Sequence, residues 1–75
     1  MTSKLTTQLK DEVEAILRRD SWLKNFPIEV IENNGVIILD GEVPSEAISA
    51  MAENLVRQVD GVVSVSNELY VKPRH

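Results

Sequence analysis

Asn34-Gly35 lies between two runs rich in β-branched residues, Ile28-Glu29-Val30-Ile31 before it and Val36-Ile37-Ile38-Leu39 after it. A two-residue type I′ turn needs positive φ at both central positions, which Asn and Gly tolerate and most side chains do not. The dipeptide therefore predicts a β-hairpin, with strand 1 over about Ile28–Asn33 and strand 2 over about Val36–Val43. The turn places Asn33 opposite Val36, Ile31 opposite Ile38 and Val30 opposite Leu39. Strand 2 begins with four apolar residues in a row, as a central strand does. Gly41 within it predicts a bulge or close packing by a helix.

After the hairpin the apolar period changes. Ser45 is a good N-cap, and Ile48, Met51, Ala52, Leu55, Val56 and Val59 form a helical stripe that Gly61 should end as the residue after the cap. Period two then returns over about Val62–Val71, with Val65, Asn67, Leu69 and Val71 alternating against Ser64, Ser66, Glu68 and Tyr70, and Pro73 stops the strand. A strand–helix–strand crossover is right-handed and makes strand 3 parallel to strand 2. Ahead of the hairpin, Leu9, Val13, Ile16 and Leu17 share one helical face. Thr6 or Thr7 serves as its N-cap, Asp11, Glu12 and Glu14 sit toward the positive end of the helix dipole, and Arg18 and Arg19 toward the negative end. That helix must end near Asp20–Ser21, before Pro27. Met1–Leu5 reads as a frayed end. The expected fold is α+β, of order αββαβ. It has a three-stranded mixed sheet in the order 1-2-3 with both helices on one face, and no element covers the other face.

Seventy-five residues allow one domain with a small core, taken as 1–75 with a core of about 6–72. No cysteine is present, so disulfides and thiolate metal sites are ruled out. Twelve acids against eight bases give a net charge of −4, which disfavours nucleic acid as a partner. The start, MTSKLTTQLKDEVE, holds no apolar stretch of signal-peptide length. The chain as written is therefore expected in the cytoplasm, or in the periplasm if it is a mature form or a fragment. No segment is long and apolar enough to span a bilayer.

Taken together, Ile28-x-Val30, Asn34-Gly35-Val36, Leu39-x-Gly41-x-Val43, Ala52 and Val59-x-Gly61-Val62-x-x-Val65-x-Asn67-x-Leu69-x-Val71 resemble a BON domain. This is the small αββαβ module of bacterial osmotic-shock proteins, haemolysin-like proteins, secretins and channel proteins. The resemblance covers about Leu9 to Val71. It implies binding to phospholipid surfaces or protein association, often in the periplasm. It brings no catalytic motif and no cofactor. Read as written, the chain is expected to depart from many relatives in having one copy of the module and no signal peptide.

The residues themselves offer little chemistry. His75 is the one histidine and the last residue, which favours a chain end over a ligand. Ser21, Ser45 and Ser64 have no histidine nearby to act as base. Asp40, Glu42 and Glu46 flank Gly41 and could gather around a cation, yet they lack the spacing of a calcium loop, and edge or turn solvation is the stronger reading. Gly35, Gly41 and Gly61 each serve a separate turn, bulge or cap, not a phosphate loop. The expected activity is non-enzymatic.

Two surface features remain. Arg18, Arg19, Trp22, Lys24 and Phe26 interleave bases with aromatics at a helix end, a composition suited to an anionic lipid interface. The competing reading puts Leu23 and Phe26 in the core, uses the arginines against the helix dipole and leaves Trp22 exposed. The second feature is the bare sheet face, where Ile31, Val36, Ile38 and Tyr70 point away from Val30, Ile37, Leu39 and Leu69. It is either a protein interface, with a partner or through weak self-association, or cross-strand packing of a small sheet.

Overall fold

The computed structural model describes residues 6–72 of the chain, so Met1–Leu5 and Pro73–His75 lie outside the described residues. Helix α1 spans Thr6–Arg19, and a short 3₁₀ turn, η1, spans Leu23–Asn25. Strand β1 covers Glu29–Asn33, β2 covers Val36–Val43, helix α2 covers Glu46–Arg57 and β3 covers Ser64–Val71. The expected αββαβ order and α+β class are both present, and η1 is the one element the periodicity did not announce.

The hairpin follows its turn chemistry. Asn34 has φ +52° and Gly35 φ +88°, and the antiparallel register pairs Asn33 with Val36, Ile31 with Ile38 and Val30 with Leu39. Glu32 adds a lock, since its carboxylate accepts the Gly35 N–H at 2.7 Å. β3 pairs parallel with β2 from Val36↔Ser64 to Val43↔Val71, and the sheet order is β1-β2-β3.

The core lies between the helices and one sheet face. Leu9, Val13 and Leu17 of α1, Leu23 of η1, Val30 of β1, Ile37 and Leu39 of β2, and Ala52 and Val56 of α2 are buried together. β2 is buried at Ile37, Leu39 and Val43 and open at the residues between. Period two thus puts one apolar set inward and leaves the other outward.

Three local expectations change. Thr6 and Thr7 already belong to α1, and its first turn holds no acid. Only Arg18 and Arg19, in the last turn, are near enough to a helix end to interact with the dipole, whose effect fades within one turn. Gly61 does not directly follow the cap of α2. That helix ends at Arg57 with Gln58 as its cap, then loosens through i→i+3 bonds from Val59 N–H to Val56 and from Val62 N–H to Val59. Gly61, at φ +99°, reverses the chain within that last turn. Gly41 marks neither a bulge nor a helix contact. The β2–β3 register runs through it unbroken, its φ is +128°, and an added Cβ would come within 2.7 Å of the Pro27 carbonyl oxygen. The residue is small because the backbone entering β1 crosses there.

Ser45 caps α2 as expected, its hydroxyl accepting the Ile48 N–H at 3.3 Å.

Candidate functional site

The basic–aromatic segment folds into a compact corner. Asp20 ends α1 and starts η1, its Oδ1 accepting the N–H of Trp22 at 2.8 Å and of Leu23 at 3.1 Å. A side-chain acceptor of this kind is what an exposed helix start requires. The turn drives Leu23 into the core, where it is 1% exposed, and leaves Trp22 63% exposed. The chain then turns at Phe26, whose N–H donates to the Leu23 carbonyl at 3.0 Å, and reaches Pro27.

A cleft of about 280 Å³ opens here, lined by Glu14, Leu17, Arg18, Lys24, Phe26 and Pro27 among others. Arg18, Lys24 and Phe26 therefore share one depression. Arg18 is partly neutralised, its Nη2 lying 3.6 Å from Glu14 Oε1. Arg19 faces elsewhere, on a separate cleft between α1 and the end of α2 with Ile16, Gln58 and Val59. Phe26 is half-buried. The five residues thus form a rim, three on one cleft, one on its neighbour, and Trp22 projecting to solvent.

The second candidate, the bare sheet face, is more divided than its composition suggests. Ile31 and Ile38 are direct cross-strand partners, and Val36 follows along β2. Ile31 is 43% exposed, while Val36 and Ile38 are half-buried. Tyr70, 57% exposed, does not join them. Its register partner is Glu42, whereas Ile38 is opposite Ser66. Four residue steps along β3 separate the two rows, roughly 13 Å at about 3.3 Å per residue. Between them runs the row Glu29↔Asp40↔Glu68, so the four-residue apolar patch is a three-residue patch fenced by carboxylates.

Asp40 and Glu42 do not meet Glu46. The first two are exposed on this open face, whereas Glu46 starts α2 and lines a groove with Asn67 and Leu69 on the helix side. Among the described residues no three His, Asp or Glu side chains gather as a metal site, and no helix is long and apolar enough to cross a membrane.

One residue escaped the sequence reading. Asn67 stands among the inward positions of β3, where its amide nitrogen donates to Ser49 Oγ at 2.9 Å, to Glu53 Oε1 at 3.1 Å and to the Ser49 carbonyl at 3.3 Å. Its oxygen accepts the Leu69 N–H at 3.0 Å. The signal was present in the pattern, as a lone amide within the apolar alternation Val65, Leu69, Val71. It fastens β3 to α2 and is structural.

The chain matches the sequence profile described as BON domain over residues 6–73. It is 38% identical over 66 residues to the osmotically-inducible protein Y of Escherichia coli K12, covering 88% of this chain and 33% of that protein. It is 34% identical over 74 residues to the outer membrane lipoprotein DolP of Haemophilus influenzae Rd, covering 91% of this chain and 38% of the relative. The chain thus spans about a third of one relative and 38% of the other. With the αββαβ order, the Asn34-Gly35 hairpin and the close approach at Gly41 all in place, the profile leaves one assignment: this chain belongs to the BON domain family.

Proposed function

We propose that the chain is a non-enzymatic binding module that docks on anionic phospholipid surfaces of the bacterial cell envelope through Arg18, Arg19, Trp22, Lys24 and Phe26. The carrying observation is Trp22, 63% exposed beside a fully buried Leu23. An indole exposed beside a buried Leu23, with Arg18 and Lys24 on the adjoining cleft and Arg19 on the next one, suits the headgroup layer, where the ring sits at the interface and the cations meet phosphate. Each base adds about 1 kcal/mol at an anionic surface, so three bases and one indole give reversible, salt-sensitive attachment. One relative is named an outer membrane lipoprotein and the other is named as osmotically inducible. The lipoprotein's name favours the envelope over the cytoplasmic placement expected from the N-terminal residues.

Flotation with anionic and with neutral liposomes tests this. The chain should float with anionic vesicles only, and salt should release it. Retention of Trp22→Ala and of an Arg18→Glu/Arg19→Glu double variant at the wild-type level, or no flotation of the wild type, would refute it.

The second reading is protein association through the open sheet face. The exposed Ile31–Ile38 pair favours it, because contiguous apolar surface marks interfaces more often than scattered residues do.

A further inference from the structure

None of the three strands contains a Lys or an Arg, and four of their acids stand on the open face: Glu29, Asp40, Glu42 and Glu68. Glu29, Asp40 and Glu68 occupy one cross-strand row. Like charges directly opposite each other destabilise a sheet, so the row weakens the fold it belongs to. It lies one side-chain repeat from the Ile31–Ile38 pair. Along the strand direction the apolar rows of Val36 and of Ile31–Ile38 therefore abut an acidic row, on a surface that no other described element covers.

We infer that this face, on the footing of the sheet-face reading, docks a basic amphipathic helix of another protein. Its apolar residues would rest on Ile31, Val36 and Ile38, and its Lys or Arg side chains would reach the Glu29–Asp40–Glu68 row. The spacing suits a helix laid along the strands. One helical turn rises about 5.4 Å, close to the roughly 6.6 Å between successive same-face residues of a strand. A helix over a bare sheet face is also the ordinary way such a face is covered.

Charge excludes the other occupants. Two copies stacked face to face would set one acidic row against another, and an anionic bilayer or nucleic acid would meet four carboxylates. This partner and the lipid surface consequently use different parts of the molecule, since Arg18, Trp22 and Lys24 belong to α1, η1 and the link between them.

The test is a ¹⁵N chemical-shift titration of the chain with a Leu/Lys amphipathic helical peptide and with its Leu/Glu counterpart. The Leu/Lys peptide should shift the amides of Ile31, Ile38, Asp40, Ser66 and Glu68, and the Leu/Glu peptide should shift none. Ile31→Ser and Glu68→Lys should each weaken binding about tenfold, equivalent to about 1.4 kcal/mol. Asp11→Lys on α1, which changes net charge as much as Glu68→Lys, should leave it within about twofold, well under that energy. Equal weakening by Asp11→Lys would reduce the effect to bulk charge and overturn the proposal. Shifts mapping to α1 or η1 would also overturn it. Equal binding of the Leu/Glu peptide would overturn the basic partner while keeping the face as an interface. Failure of both peptides would end the sheet-face reading as well, and liposome flotation of Ile31→Ser at the wild-type level would keep the lipid reading separate.

Discussion

The corner at η1 and the open face of the sheet expose apolar groups under opposite charge. At the corner, Trp22 projects beside a buried Leu23, next to the cleft that holds Arg18 and Lys24, with Arg19 on a neighbouring one. On the sheet, Ile31 and Ile38 are bordered on one side by the row Glu29, Asp40 and Glu68. The net charge of −4 averages two surfaces that would select different partners. For a small binding module, the sign and position of charge beside each apolar group say more than the sum does.

The comparison breaks most completely at its anchors. Leu23→Ala removes the one fully buried side chain of η1 and should cost about 2–5 kcal/mol in urea unfolding. It should also abolish liposome flotation, because Trp22 would lose its seat. A variant as stable as wild type would mean the corner is not held by the core.

The neighbours Ile37 and Ile38 sharpen the contrast between the two sheet faces. Ile37 is fully buried under the helices and Ile38 is half-buried on the open side. Ile37→Ala should cost about 2–5 kcal/mol. Ile38→Lys should cost under about 1 kcal/mol, since the lysine stem can cover the same surface while its ammonium reaches water. If Ile38→Lys unfolds the chain, the inward and outward sets have been interchanged.

Asn67→Ala should cost about 0.5–1.5 kcal/mol, because half-buried Ser49 and Glu53 would lose a donor. Peptide binding on the open face should survive, since Asn67 points to the helix side. Glu68→Lys should act in the opposite direction. Replacing the end of a like-charge row with a cation next to Asp40 should raise stability by about 0.2–1 kcal/mol while weakening the basic peptide. A loss of stability would remove the strain assigned to that row.

The smallest expected change is the stability of Trp22→Ala. A side chain 63% exposed with no packing role should shift unfolding by no more than about 0.5 kcal/mol. Flotation should nevertheless fall at least several-fold, separating binding from folding at a single position.

Much of the fold was legible because it is written locally. The positive φ values at Asn34 and Gly35, the hydroxyl cap at Ser45 and the period of each apolar run depend on residues within a turn or two of each other. The hairpin register followed from the turn, and with it the opposition of Ile31 to Ile38. Leu23 and Trp22 were harder. Adjacent apolar residues after a helix carry no period, and the turn held by Asp20 Oδ1 ahead of η1 leaves one inward and the other out.

What the tertiary structure alone decided concerns β3. The sequence determined that a third strand would run parallel to β2 after a helical crossover, because handedness and strand period are properties of the chain itself. It could not determine how far β3 would slide along β2, since that register is set by how α2 packs across a long sequence separation. The slide places Tyr70 beside Glu42 instead of Ile38, and it aligns Glu68 with Asp40 and Glu29. It also carries Asn67 beneath Ser49 and Glu53. Local chemistry therefore specified the elements, and the long-range pairing of β3 specified which charges and apolar groups share a surface.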